Sequence, residues 1–557
     1  MNYFFNEKYF YITNDLSSSD RAEVPGDKYY LFGHCFTEND ILKDKELTKS
    51  EFDYIRKNHE RLSGLFVCIG IISGKIEVFV DPLVQYPVFY YKENGVLAIS
   101  NKVSMLAKCH YSKPSLTFLF DYMVYRGPLR GLTPVDSIKM LRFDDLQFGS
   151  GFSLDCEELT VHKTSLLFKK DLSYEEALTR LAQNIKTRAS IIANKFNYIE
   201  CALSGGIDCR IVASAFLDYD NVYYYSLGFD SQDRLCFEAL TDKFELNKLT
   251  EIKYYGRAIQ SVAYRARMID DLNGIKLHSY GGYMNYGRTV GPQGCRLTGY
   301  FGEYIGHKLP FGNISPKDGT VIRAPHIDNF PMSVLKEIEE YSVSFWNFNA
   351  RHDRFGESER EINQLFYINS RGVSHFGMNS VSDNRYINSF NILYDPVALR
   401  VSELSPYTDN EDDKGATCID LICKISGPEF ALFPYESRKI PKYRNFDYVP
   451  EFNCFERHVF EHKELEPIKK VNYAMPEIGK WDMLKIPSSI VRAVDILNQN
   501  AFDDFFDDFP YLIYLRSFHN DKLCQMQQEV LCNFLLCNHL FSKVHADFDR
   551  FEGNPLI

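Results

Sequence analysis

Nine residues, Ala202-Leu203-Ser204-Gly205-Gly206-Ile207-Asp208-Cys209-Arg210, place the end of an apolar strand, a glycine turn and the start of a helix in direct succession. Glycines let backbone N–H groups approach an anion closely, and a helix start adds donors without intrahelical partners and a positive dipole end. Asp208 falls in the first helical turn, where a carboxylate holds Mg²⁺ against bound phosphates. The alternative reading is a tight strand-to-helix turn that needs glycine only for sterics. A second glycine-containing stretch, Leu297-Thr298-Gly299-Tyr300-Phe301-Gly302-Glu303, lies further along the chain.

The elements around these stretches alternate strand and helix. Ser173-Tyr174-Glu175-Glu176 reads as a capping box that opens a helix with apolar positions at Ala177, Leu178, Leu181, Ile185 and Ala189. Strands follow at 198–203, 222–226 and 249–255, with helices at 207–216 and 237–244 between them. Such alternation builds a parallel sheet covered by helices, with ligands at the carboxyl ends of the strands.

The first 165 or so residues read as β-rich instead. The run Leu65–Ile72, the turn Ser73-Gly74 and the alternating Lys75–Val80 form one hairpin; Val88–Tyr91, Glu93-Asn94-Gly95 and Val96–Ile99 form another. A stacked antiparallel sheet is expected. After about Pro434 the chain becomes a series of aromatic and acidic helical segments. The expected organisation is therefore 1–168, 169–435 and 436–557: an α+β unit, an α/β unit and a mostly helical extension.

The motifs resemble those of the asparagine synthetase superfamily of ATP pyrophosphatases. Ser204–Asp208 is similar to its pyrophosphate loop, Tyr225-Ser226-Leu227-Gly228-Phe229-Asp230 to its second strand and nucleotide loop, and Leu297–Glu303 to its second pyrophosphate and magnesium motif. Leu62-Ser63-Gly64-Leu65-Phe66 and the stretch from Asp81-Pro82 to Tyr91 resemble its N-terminal amidotransferase domain. The resemblance implies an N-terminal Ntn-like antiparallel sandwich with helices, then an adenine nucleotide alpha hydrolase-like synthetase domain with a helical C-terminal part. It implies ATP and Mg²⁺ as cofactors. Leu203, Ser204, Gly205, Gly206, Asp208, Cys209, Arg210, Ser226, Leu227, Gly228 and Gly299 would line the nucleotide site, and Asp208 and Glu303 would hold the metal.

Departures from the pattern refine the expectation. The superfamily's glutaminase uses a cysteine directly after the initiator Met, whereas position 2 here is Asn2 and the first cysteine is Cys35. Without its thiol that chemistry fails, so the N-terminal unit is expected to be a relic. The pyrophosphate loop ends in Cys209-Arg210 where the family has small hydroxyl residues, and Arg210 is a possible phosphate contact in their place. Glu303 replaces an Asp and Phe301 a Gly.

Tyr300 stands three residues before Glu303, as a tyrosine does in the β-lactam synthetases. The resemblance implies Tyr300 as a base for an attacking amine, with Glu337, Glu339 or Glu340 as partner; a tyrosine packing beside a loop is the other reading. The stretch from Phe433-Pro434 to Lys442 resembles the family's segment bearing an oxyanion-stabilising Lys, making Lys442 the candidate and Lys439 its reserve. Leu393-Tyr394-Asp395-Pro396 is read as structural.

The implied reaction is AMP-forming joining of a carboxylate to an amine through an acyl-adenylate, as in β-lactam synthetases and lasso-peptide cyclases. Asparagine formation from free ammonia is one alternative, and a nucleotide-binding scaffold without turnover is another. The partners implied are a small-molecule or peptide carboxylate and an amine, with a second copy of the chain in a homodimer.

Composition bounds the rest. The chain has 557 residues, 63 Lys+Arg against 75 Asp+Glu and a net charge of −12, which argues against nucleic acid or an anionic membrane as partner. The start Met1–Lys8 lacks the layout of a secretion signal, and fourteen cysteines without a short-range framework suit a reducing cytoplasm. Cys524, Cys532, Cys537 and His539, spaced by 8, 5 and 2, fit no zinc motif and read as buried helix positions. Asp503–Asp508 lacks the glycine and ligand spacing of a calcium loop.

Overall fold

The computed structural model describes residues 2–6, 8–14, 26–125, 127–128, 130–142, 159–162, 172–226, 232–255, 269–275, 277, 290, 293–306, 314–315, 320–321, 332, 336, 339–340, 343–344, 367–384, 387–407, 415–435 and 469–473, with eight positions between 530 and 541. Ten strands come first: β1 (Asn2–Phe5), β2 (Phe10–Thr13), β3 (Lys28–Phe36), β4 (Ile41–Glu46), β5 (Ser63–Ile72), β6 (Lys75–Val80), β7 (Phe89–Glu93), β8 (Val96–Ser100), β9 (Lys139–Met140) and β10 (Leu159–His162). They form two five-stranded sheets, ordered β1-β2-β8-β7-β9 and β10-β6-β5-β3-β4. The first is antiparallel throughout. The second is antiparallel except at its edge, where β10 runs parallel to β6.

The unbroken apolar run of β5 has a structural cause. Leu65, Val67, Ile69 and Ile71 face the core shared with the other sheet, whereas Phe66 and Cys68 face the helix Lys49–Asn58, with its Phe52 and Ile55. A strand covered on both sides has no polar face to show. Gly70 lies directly beneath Phe52, where a Cβ would come within 2.4 Å of the ring.

The second half contributes β11 (Tyr198–Ala202), β12 (Val222–Tyr225), β13 (Glu251–Tyr255), β14 (Gly294–Leu297), the short hairpin β15 (Ile314–Ser315) and β16 (Thr320–Val321), and β17 (Asn388–Phe390). Four of them make a wholly parallel sheet in the order β12-β11-β14-β17. The capping box forms as its spacing predicts: Ser173 Oγ accepts from Glu176 N–H at 3.3 Å, and the Glu176 carboxylate accepts from Ser173 N–H at 2.8 Å. The helix it opens, Tyr174–Lys195, buries Ala177, Leu178, Leu181, Ile185 and Ala189.

The expected units share one buried core and are tied by specific bonds. Lys102 Nζ donates to Asp270 Oδ2 at 2.6 Å, Gly64 N–H to the Tyr394 carbonyl at 3.2 Å, and Lys43 Nζ to Asn388 Oδ1 at 3.0 Å. The described part of the C-terminal extension belongs to this assembly too. Its strand β18 (Lys469–Tyr473) pairs in parallel with β13, and Val530, Phe534, Cys537 and Phe541 are buried in the main core. Cys537 is thus a buried helix position, as expected; Cys524, Cys532, His539 and Asp503–Asp508 lie outside the described residues. Among the described residues the cysteines are unbridged, and no helix is long and apolar enough to cross a membrane.

His34, on β3, meets the parallel sheet at Phe390, ring centroids 5.2 Å apart, and has no exposed surface. Burial, reinforced by Lys43, pulls its imidazole down to about 3. The unfolded chain therefore takes a proton near 6.5 that the folded chain refuses. Stability from this group is complete above 6.5 and drains away as pH falls toward 3, by about 1.4 kcal/mol per pH unit. Urea titrations at stepped pH should show wild type losing more stability than His34→Leu across that window. Equal slopes would refute the assignment.

Candidate functional site

The chain leaves β11, crosses to β12 on one side, and later places β14 on the other side of β11. The β11/β14 junction is therefore the point where strand order reverses, and ligands of open parallel sheets settle in the crevice there. Both glycine-containing turns open at that junction. Leu203 is buried and anchored through its N–H to the Tyr225 carbonyl at 2.9 Å. The Ser204 hydroxyl accepts from Gly206 N–H at 3.1 Å, and Gly206 caps the helix Ile207–Ser214 without any side-chain bond to the helix start. Asp208 and Cys209 are half-buried in the first turn, and Ser226 is buried at the end of β12.

The second turn packs against the first through its glycines. A Cβ at Gly299 would stand 3.0 Å from the Asp208 carbonyl carbon and the Cys209 nitrogen; one at Gly302 would stand 2.7 Å from the Asp208 Cβ and 2.9 Å from its Cα. Only glycine permits this approach. Phe301, between them, has φ +78° and heads the short helix Gly302–Ile305. A bulky residue in the left-handed region is strained, by on the order of 1 kcal/mol. Here the ring is held by stacking on Tyr304 at 4.8 Å and by a tilted contact with Tyr394 at 5.3 Å.

Glu303 follows Gly302 and accepts a hydrogen bond from the Tyr367 hydroxyl at 2.9 Å. Tyr367 immediately precedes a ten-residue π-helix, Ile368–Gly377. That segment also supplies Phe376, which stacks on the half-buried Tyr300 at 5.4 Å. Asn391, beyond β17, donates to the Tyr300 carbonyl and fixes the turn from the far side. Arg296, fully buried on β14 and ion-paired with Asp383, lies within electrostatic reach of Tyr300.

Several expected residues sit elsewhere. Arg210 is fully buried and turned away from the loop: its guanidinium donates to the Pro434 carbonyl at 2.8 Å and lies 3.7 Å from the Tyr435 ring. It is a tie to the 433–435 segment rather than a phosphate contact. Glu339 and Glu340 are exposed, with Glu340 3.7 Å from Lys336, and no described contact joins either to Tyr300. Glu337, Leu227, Gly228, Lys439 and Lys442 lie outside the described residues. Asp395, in the stretch read as structural, caps the helix Pro396–Leu404 and accepts from Arg188 and Asn184. Cys35 cannot stand in for the absent N-terminal thiol, because its sulfur is buried and burial pushes it well above the thiolate range.

Sequence reasoning missed Asp233, which opens the helix Gln232–Lys243 and accepts from Gly205 N–H at 2.8 Å. Its only signal is an acid shortly before the expected helix 237–244. Tyr367 gave none.

No group of three or more His, Cys, Asp or Glu side chains poised for a metal occurs among the described residues. Mg²⁺ needs none, since it characteristically takes one or two protein carboxylates and completes its octahedron with water and phosphate oxygens. Asp208 and Glu303 would be a donor set of that kind for an ion at the junction. No family model and no curated protein matches the chain.

Proposed function

We propose that the protein is an ATP-dependent ligase that activates a carboxylate as an acyl-adenylate, releases pyrophosphate, and joins the acyl group to an amine. The observation that carries this reading is the meeting of the two turns, with Gly299 and Gly302 seated on the backbone of Asp208 at the switch point of a parallel sheet. One turn offers helix-start N–H donors for an anion, and the other offers a second acid. A polyphosphate leaving group needs that combination.

Asp208 and Glu303 would hold Mg²⁺, which supplies charge neutralisation on the departing pyrophosphate. The Tyr367 hydroxyl fixes the rotamer of Glu303. Tyr300 is held by the Asn391 bond to its carbonyl and by Phe376 against its ring, and its phenolic oxygen, once deprotonated, would be the acceptor for the amine proton. Arg210 secures the 433–435 segment through the Phe433 and Pro434 carbonyls and the Tyr435 ring, and Lys439 and Lys442 follow in sequence. Either would serve as the cation that steadies the oxyanion of the attacked adenylate.

Pyrophosphate release from ATP, screened against libraries of carboxylic acids, tests the reaction. Tyr300→Phe should leave acid-dependent pyrophosphate release near wild type while slowing amide formation by roughly 10²–10⁴-fold. Equal loss of both steps would remove Tyr300 from the role of base. The commitment of Arg210 to interior carbonyls favours a second reading, a nucleotide-binding protein without turnover. ATP binding without pyrophosphate release for any acid would select it.

A further inference from the structure

Asp233 presents a carboxylate to the loop proposed to receive a phosphate. Its Oδ1 accepts the Gly205 N–H at 2.8 Å, reaching across from the neighbouring strand–helix unit. Gly206 N–H is also taken, but by the neutral Ser204 hydroxyl, which can turn and donate to an arriving anion. The carboxylate has no such freedom. It sits in the first turn of its own helix and, as an acceptor only, has no proton to offer an arriving anion.

We infer that Asp233 determines which anions enter the loop: its carboxylate holds the N–H that a phosphate oxygen would take, so the loop admits only an anion with enough other contacts to displace it. This rests on the reading of Ser204–Asp208 as a phosphate site. Two anionic oxygens contending for one N–H lie close enough to repel strongly. A single phosphate, with few donors to gain, stays out. A polyphosphate, which would reach both the loop and the cation that Asp208 and Glu303 would hold, gains contacts enough to offset the displacement. Asp233 is a specificity residue in this account, acting by competition.

The test is calorimetric titration of the full chain, with magnesium present, using inorganic phosphate and inorganic pyrophosphate as probes. Asp233→Ala should bind phosphate about tenfold or more tightly than wild type, with a smaller gain for pyrophosphate, so that discrimination between the two narrows. Asp233→Asn keeps the shape and a neutral acceptor, and should change in the same direction. If Asp233→Ala lowers the melting temperature, the isosteric variant carries the comparison. Unchanged or weaker phosphate binding in both variants would overturn the inference and leave the ligase reading standing, with Asp233 a support for the loop. Failure of every form, wild type included, to bind pyrophosphate would remove the phosphate site itself and the inference with it.

Discussion

Asp208→Asn should lower acid-dependent pyrophosphate release by on the order of 10²–10³-fold while leaving the melting temperature near wild type. The substitution keeps the side-chain shape, so the contact of its Cα and Cβ with Gly302 survives. What disappears is the charge that would hold a divalent cation against the leaving group. Magnesium-dependent ATP affinity should fall together with the rate, because the proposed role begins in the bound ground state. Glu303→Gln should act in the same direction. Its effect should be smaller, since the Tyr367 hydroxyl can still bond the amide oxygen and hold the side chain in place. Steady-state rates and calorimetric ATP titrations on purified protein measure both quantities. Undiminished release from Asp208→Asn would mean that the two turns meet for packing alone.

The sequence made the local parts of this site visible and concealed the contacts between them. Ser204-Gly205-Gly206 could be recognised because glycine, an apolar strand and an apolar helix period adjoin within a dozen residues. The same held for the Ser173–Glu176 box and the Ser73-Gly74 hairpin, where three or four neighbouring residues determine the outcome. The direction of Arg210 was also legible in principle. Two residues along a helix amount to about 200° of rotation, so a side chain two after Asp208 faces away from it. Proximity in sequence to a loop read as phosphate-binding suggested the opposite.

Asp233 and Tyr367 were harder, because they reach the site from other strand–helix units, 28 and 64 residues from the groups they bond. Only the strand order β12-β11-β14-β17 brings them there. No local pattern encodes the reversal of order at β11. The return of residues 469–473 and of Val530, Phe534, Cys537 and Phe541 to the main body is of the same kind, since a strand five residues long pairs with whichever edge the topology presents.

Asp395→Ala should cost more stability than any other single change considered, about 3–5 kcal/mol for the stranded charge and about 1 more for the lost cap. Asp395 is 1% exposed and does two jobs. Its Oδ1 accepts from Val397 N–H at 2.8 Å, starting the helix Pro396–Leu404; its Oδ2 accepts from the Arg188 guanidinium and from Asn184 Nδ2, the latter at 3.0 Å. Arg188 is itself buried and donates also to the Ile392 carbonyl. Removing the carboxylate therefore leaves a guanidinium in the core with one carbonyl in place of a counter-ion, which is the expensive way to break a buried pair. Asp395→Asn retains the cap and should lose less. Joining Arg188→Met to Asp395→Ala removes the stranded charge, so the double variant should be more stable than Asp395→Ala alone, a sign of coupling that independent losses cannot produce. Urea midpoints with unchanged m-values measure each step. The effect should also reach the site, because Ser402, on the capped helix, donates to the Tyr304 carbonyl at 3.1 Å, one residue after Glu303. Loosening that helix loosens the turn that carries the second acid. Pyrophosphate release should consequently fall in Asp395→Ala and recover in part in the double variant, following stability. If release stays at the wild-type level while the urea midpoint drops, the capped helix has no part in positioning Glu303.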